Sequence, residues 1–438
     1  MIGTPLTYYM VDDLNASAEE QNVISVIMSL PWSFKLMYGF LSDGIPIAGM
    51  RRKPYFVAGW VVYIMANFFL ALQKSPSIQM LAAMMLVQTM GYVCSDVMTD
   101  TMIVERSKEL EGVKDRGSFQ AVGYTVRTAG TCLGSVLGAF LYNNGSWGLS
   151  ISQVFVINAV LPSLLLAPSI PLLLETPREK APPSIRKQCA DIFALVKRRA
   201  VWQPCCFVFI YNVFQVSNAA WSNFLILGLG FGAWQIGVLT IIASFASWAG
   251  IVAYKKYFFE SSWRNIYIST TFLSAFFSLL QLQLISGKTF GLPALWFALG
   301  DTAVWSFILY VQFLPMCIMY SGMCPDGSEG ASYAMLTTLS NMGGTVAVDI
   351  SSLLVGIWNV SDEVIEKHKY SGMTKLTILT SLLQLAPLPL LFLIPKDKKE
   401  QLELQKSDDT SIVAGSVFIG VLVVALTWTV IENILYLV

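Results

Sequence analysis

The sequence predicts an all-α membrane protein made of two repeated groups of helices. Of its 438 residues, 55% are hydrophobic and only 13% are charged, with a mean hydropathy of +0.60; a water-soluble chain carries about a quarter charged residues. Apolar runs of the roughly 20 residues needed to cross a bilayer recur along the whole chain. The cations between those runs crowd onto alternate loops. A net charge of zero gives no surface for nucleic acid.

Residues 1–10, MIGTPLTYYM, are apolar but too short to span. They lack the basic start and small-residue cleavage site of a signal peptide, so they read as the tail of a first helix that begins before this chain. Spans are then expected at 22–42, 55–73, 78–104, 118–142 and 151–174. The Pro- and charge-rich stretch ETPREKAPPSIRKQCADIFALVKRR (175–199) reads as a cytosolic linker. Six more spans are expected at 200–228, 234–254, 265–286, 291–322, 330–357 and 372–394. A charged stretch, IPKDKKEQLELQKSDD, leads to a further apolar candidate at 411–431. The expected organisation is a transmembrane half over 1–174, the linker 175–199, a second half over 200–394, and a charged stretch plus an extra helix over 395–438.

Lysine and arginine set the orientation. One side holds Arg51, Arg52 and Lys53; Arg106, Lys108, Lys114 and Arg116; the linker cations from Arg178 and Lys180 to Arg199; Lys255, Lys256 and Arg264; and Lys396 to Lys406. The other side holds Lys74, Lys288, Lys367, Lys369 and Lys375. The positive-inside rule puts the first side in the cytosol. A spanning 411–431 would then end outside.

Little points to catalysis. The seven cysteines lie in apolar runs or cytosolic loops and show no CxxC spacing. The single histidine, His368, cannot form a metal site or a triad alone. GLGFG (228–232) follows a helix rather than a strand, so it is no nucleotide loop. No enzyme activity, metal or cofactor is expected.

The halves echo each other. RGSFQAVGYTVRTAG (116–130) and EGASYAMLTTLSNMG (329–343) share glycines at their second and last positions, and SDGIPIAGMRRK has a degraded counterpart in YKKYFFESSWR. Two six-helix halves about a linker are the plan of a major-facilitator transporter. In GFLSDGIPIAGMRRK, Gly39 allows close helix packing, Asp43 caps or pairs with cations, and Arg51 and Arg52 hold the loop at the anionic cytosolic face. Glu105 and Arg106, then Glu329 and Gly330, complete the expected cytosolic gate loops, with Pro325, Asp326 and Gly327 as the turn. A generic positive-inside turn is the plainer reading of this loop.

Charged side chains inside a membrane are costly and tend to face a cavity and a partner. Asp96 and Asp100, four apart, share a helix face. At 1.5 Å per residue Asp96 lies about 13 Å from the cytosolic end, Arg127 at a similar depth and Lys35 about 12 Å in. Two cations and two carboxylates are therefore expected in one layer. A purely structural ion-pair network accounts for this pattern as well as a functional one does. Asp301, about ten residues into its helix, is a coupling or substrate candidate in the second half, or a packing residue; Asp349 lies in the outer half of its own helix. Trp32, Tyr38, Tyr8 and Tyr9 are candidates to stack on a flat ring, or members of an interfacial belt.

The chain resembles the folate-biopterin transporter family over nearly its whole length, from PLTYYMVDDL to LLFLIP. The resemblance rests on LPWSFKLMYGFLSDGIPIAGMRRKPY, SDVMTDTMIVERS, RGSFQAVGYTVRTAG and GDTAVWSFILYVQFLPMCIMYSGMCPDGSEGASYAMLTTLSNMGG. Leu36 and Val216 depart from it, since the family usually has proline at both places. The resemblance implies secondary active transport of a folate or biopterin type of molecule; proton symport is the expected coupling, and a lipid bilayer, the plasma membrane before an organelle, the expected location. A carboxylate of the layer would accept the pterin's ring N–H and amino group, and Arg127 or Lys35 would hold the glutamate end. Two adjacent carboxylates resist joint ionisation and offer a proton carrier. S-adenosylmethionine as cargo, or a receptor or scaffold on the same fold, stay open as alternatives.

Overall fold

A computed structural model of the chain describes residues 2–16, 18–73, 76–112, 114–141, 148–175, 177, 184–407 and 409–435; Lys74, Arg178, Lys180 and the side chain of Tyr8 lie outside the described residues. In chain order the helices are α1 (Gly3–Tyr8), α2 (Ala18–Ser33), α3 (Lys35–Gly44), α4 (Lys53–Leu72), α5 (Ile78–Leu110), α6 (Ser118–Leu141), α7 (Ile151–Ser169), α8 (Ile185–Val196), α9 (Arg199–Phe214), α10 (Trp221–Asn223), α11 (Ala233–Ala253), α12 (Trp263–Ile285), α13 (Ala294–Met323), α14 (Glu329–Ile357), α15 (Asp362–Glu366), α16 (Ser371–Leu383), α17 (Lys398–Lys406) and α18 (Ile412–Leu435). Among the described residues, 10 helical segments are long and apolar enough to cross a membrane. Not among them are α6, which carries Arg127 and a row of small and hydroxyl residues, and α9, which stops at Phe214.

The helices pack as a bundle whose outer surface is apolar: Leu164, Leu165, Phe276, Leu353 and Val424 are all exposed, as a lipid-facing surface requires. Within it α4 packs on α5 and α7, α12 on α13 and α16, and α14 on α9. The most extensive packing between the first group of helices and the second is α3 on α14 and α6 on α11. A core of Tyr211, Tyr267, Ile318, Tyr320, Leu336 and Leu339 fills the space among α9, α12, α13 and α14. One end of the bundle gathers the basic loops: Lys108 pairs with Asp326 at 3.0 Å, Arg264 with Glu400 at 3.0 Å, and Arg198 donates to the Gln405 carbonyl. This end is called the basic face below.

Three expected spans are interrupted, each for a local reason. The span expected at 22–42 is two helices that meet at Phe34; Pro31 sits in the last turn of α2, and Met37 N donates to the Phe34 carbonyl at 2.9 Å. Proline inside a helix removes a backbone bond and bends it, so Pro31 supplies the bend although Leu36 does not. The span expected at 200–228 is corrected more strongly: α9 ends at Phe214, residues 215–218 leave the helix, and α10 runs into a π-turn, Phe224–Gly228. Val216 is not proline, and side chains sustain this break instead. Ser351 Oγ accepts from Ala219 N at 3.0 Å, Asn218 Oδ1 accepts from Ala220 N at 3.0 Å, and Asn218 Nδ2 donates to Thr377 at 2.9 Å. Unwound backbone survives in a membrane only when its groups are satisfied in this way. The span expected at 372–394 ends as a 3₁₀ segment, Leu388–Leu393, after Pro387. In contrast α5 runs on to Leu110, six residues past the expected end at Val104, carrying Glu105 and Arg106 out of the apolar layer.

Candidate functional site

The bend at Phe34 places Lys35 as the first residue of α3, pointing at α5. Lys35 Nζ lies 2.7 Å from Asp96 Oδ2. Arg127 of α6 reaches the same pair of turns: its Nη2 is 2.9 Å from both Asp96 Oδ1 and Asp100 Oδ1. The two cations and two carboxylates thus form one chain, Lys35–Asp96–Arg127–Asp100, in which Asp96 has two cations and Asp100 has one. Asp96 and Asp100 are buried, as is Lys35. Aromatic rings wall the layer. Lys35 stands 4.6 Å from the Trp32 ring, Arg127 4.9 Å from the Tyr124 ring, and Trp32 meets Tyr92 edge-on at 5.8 Å. A cation over a ring face gains electrostatic attraction without a proton donor being consumed. Tyr92 and Tyr124 went unnoticed in the sequence because a lone tyrosine in an apolar run carries no signal; their spacing of four and three from Asp96 and Arg127 is the only hint.

Toward the basic face the same helices meet the second group. Asp43, fully buried, accepts from Arg52 Nη2 at 2.5 Å and from Ala331 N at 2.8 Å, so it caps the start of α14 across the interface. Arg52 also reaches Glu105 at 2.9 Å, and Arg51 reaches Glu105 at 3.3 Å, Glu329 at 3.7 Å and the Gly327 carbonyl at 2.9 Å. Burial alone would lower the Arg52 pKa; Asp43 and Glu105 outweigh it and raise it, so this guanidinium stays charged. A Cβ added at Gly39 would lie 2.6 Å from the Gly330 carbonyl oxygen, which shows how closely α3 and α14 approach. Gly39, Asp43, Arg51, Arg52, Glu105, Glu329 and Gly330 therefore converge. Arg106 does not join them: it turns outward to Glu109 at 2.7 Å and the Leu174 carbonyl at 2.8 Å, because one step along α5 turns it about 100° away from Glu105.

Glu175 is a gate residue that sequence reasoning passed over. Its carboxylate accepts the backbone N–H groups of Arg51 at 2.6 Å, Arg52 at 3.0 Å and Lys53 at 2.7 Å. It is the missing anion at the start of α4, where three N–H groups point at one spot. The available signal was that α4 opens with three cations and no acidic cap.

Asp301 lies apart from this layer. Its Oδ2 accepts from Gln281 Nε2 at 2.9 Å beside a cavity of about 350 Å³ lined by Asn218, Ser274, Ser278 and Gln384, and among the described residues it forms no ion pair. At the depth of the charged layer the second group offers neutral polar atoms, with Gln312 Nε2 donating to Tyr211 and to Thr270 at 2.7 Å each. Of the aromatic candidates, Trp32 borders the charged layer. Tyr38 packs beside Tyr55 and Phe56, and Tyr9 is buried near Leu81 and Phe155.

A last link crosses the basic face. Lys398 Nζ donates to the Lys114 carbonyl at 3.1 Å and stands 3.4 Å from the Phe259 ring. Burial lowers its pKa to about 8 against the opposing pull of Glu111, Glu260 and Asp115. Between about pH 8 and the ordinary 10.5 the folded chain binds fewer protons here than the unfolded one, so stability rises with pH in that window. The thermal midpoint in detergent is expected to climb between those values in the native protein, and to climb less in Lys398→Met.

The family model described as "BT1 family" matches residues 1–412. Among curated proteins, the chain is similar to the "Folate-biopterin transporter" of Synechocystis sp. (strain ATCC 27184 / PCC 6803 / Kazusa), with 25% identity over 407 residues covering 90% of this chain and 80% of that one. It is also similar to "Folate transporter 1" of Plasmodium falciparum (isolate 3D7), with 22% identity over 409 residues covering 92% of this chain and 78% of that one. Among solved structures, the human organic anion transporter MFSD10 matches with a TM-score of 0.58 at 16% identity, over 84% of this chain and 82% of that one. That likeness identifies the fold as the major-facilitator fold.

Proposed function

The chain belongs to the BT1 family, and on that premise we propose that it carries folate- or biopterin-type molecules across a membrane by proton symport. Family and fold make it a multi-pass membrane transporter and not an enzyme. The cargo and the coupling are the proposal, supported by the names of the relatives and by one geometric observation: Arg127 is shared by two buried carboxylates, and among the described residues Asp100 has no second cation.

That arrangement couples anion and proton binding directly. A substrate carboxylate, arriving at Arg127, competes with Asp100 for the guanidinium, whose planar fork suits carboxylates. Asp100 then loses its ion-pair partner while buried, and a buried unpaired carboxylate is so costly that it takes up a proton instead. Asp96 keeps Lys35 and stays ionised. The layer is overall neutral before binding, with two positive and two negative groups, and stays neutral after one anion and one proton have entered together. Asp301, in the second half, is a further coupling candidate.

The gate completes the cycle. With the basic face toward the cytosol, as the positive-inside rule expects, the halves 1–174 and 200–394 rock about the charged layer, joined by the linker 175–199. The cluster of Asp43, Arg51, Arg52 and Glu105, with the Asp43 contact to Ala331 and the Arg51 contact to Gly327, holds the cytosolic side closed and must separate to release cargo. The plasma membrane is the proposed location. Cells expressing the chain are expected to take up labelled biopterin and folate saturably, each blocked by excess unlabelled compound. Protein at the surface with no uptake of either would contradict the proposal.

A further inference from the structure

α18 starts where the family match ends, and it is an integrated part of the bundle. Its start is tied to that of α9: Ser411 N donates to the Lys197 carbonyl at 2.8 Å and Arg199 N to the Asp409 carbonyl at 2.9 Å. Phe418 and Leu422 are buried in the main core, whereas Val423 and Val424 face outward. Farther along, α18 packs on both α2 and α14, and Trp428 Nε1 donates to Asp349 Oδ2 at 2.9 Å.

Between α2, α14 and α18 lies a cavity of about 430 Å³, lined among others by Trp32, Ser33, Thr338, Asn341, Asp349 and Thr429. Its wall is mainly apolar, with Val26, Met342 and Val348 in it, and carries polar groups at a few points. Thr338 is 1% exposed, yet its hydroxyl has no partner among the described residues. A buried hydroxyl without a bond costs free energy that a ligand would recover. Asp349 adds an acceptor, Asn341 both a donor and an acceptor, and Trp32 a flat ring. Trp32 is also the ring 4.6 Å from Lys35, so the cavity borders the charged layer.

We propose that this cavity is a second ligand site, which takes the planar, N–H-bearing ring of the cargo on its way to the charged layer, and that α18 is its third wall. A lipid tail in the same place would leave the Thr338 hydroxyl unmatched. Trp428 holds Asp349 when the site is empty, and the ring N–H groups replace the indole N–H on binding. The inference rests on the reading of the protein as a pteridine carrier.

The test uses the full chain in cells or proteoliposomes, with biopterin as probe. Thr429→Cys is made in a background where the exposed Cys189 and Cys206 are serine, and its reaction with a small charged thiol reagent is followed. Biopterin is expected to slow that labelling several-fold. Thr338→Val and Asp349→Asn are expected to raise the KM for biopterin about fivefold or more, the loss of about one hydrogen bond, with kcat within about twofold. Unprotected labelling and unchanged KM in protein that still takes up biopterin would overturn the second site and leave the carrier reading intact. Absence of biopterin uptake by the native chain would overturn both.

Discussion

Arg127→Gln is expected to cut uptake of anionic pteridines about a hundredfold or more, while the protein still reaches the membrane. Arg127 bonds Asp96 and Asp100 at 2.9 Å each, and Asp100 has no other cation among the described residues. Removing one partner of a buried pair costs about 3–5 kcal/mol, and about 3 kcal/mol falling on the bound state is a factor of about a hundred in rate. Glutamine also lacks the charged fork that would take the substrate carboxylate. Because Asp100 can accept a proton in the variant, the fold is expected to survive, which size-exclusion chromatography checks. Uptake assays with folate, with biopterin, which has no carboxylate, and with S-adenosylmethionine side by side make the result specific. A cationic cargo would depend on the carboxylates rather than on Arg127, so near-normal transport of a cation by Arg127→Gln would reassign the cargo.

Gly39→Val is expected to lower transport at least tenfold by a different route. The added Cβ would run into the backbone of α14, the Gly330 oxygen at 2.6 Å, the Gly330 carbon at 2.7 Å and the Ala331 Cα at 2.8 Å. Backbone in the first turn of α14 cannot step aside as a flexible side chain would, so α3 and α14 must part. Parting them breaks the Asp43 bond to Ala331 N and the Arg51 bond to Gly327. The gate then stays open on the basic face and alternation stops. Cys324 reports this directly: it is 5% exposed beside the gate, and its reaction with a polar thiol reagent applied from the basic face is expected to rise in Gly39→Val. Gly39→Ala is expected to fall between the two. Normal transport by Gly39→Val would show that this contact is not a moving gate.

Much of this was legible in the sequence because membranes force simple rules. A run of about 20 apolar residues has few fates, so α4, α7, α12 and α14 lie within a few residues of their expected places. The charged layer was legible for the same reason, since a charge in such a run needs a partner at its own depth, and counting residues from the basic face put Lys35, Asp96 and Arg127 level. What stayed hidden depends on long-range contact. The break after Phe214 rests on Ser351, more than a hundred residues away, and no local pattern announces it. Glu175 became a gate residue only when the end of α7 met the start of α4. Arg106 was grouped with Glu105 by adjacency, although neighbours on a helix point in different directions. Asp349 gained a partner only when α18 docked against α14.

The proposed coupling requires anion and proton to enter the charged layer together, and one measurement bears on it most directly. Uptake of labelled folate, whose glutamate supplies the carboxylate, is followed at an outside pH of about 5.5 and about 7.5, for the native chain and for Asp100→Asn, an amide that cannot exchange the proton. Uptake that is stimulated by acid in the native protein and indifferent to pH in folded Asp100→Asn is the predicted result. The same acid stimulation in both proteins would contradict the role given to Asp100, and with it the coupling of cargo to proton at the charged layer.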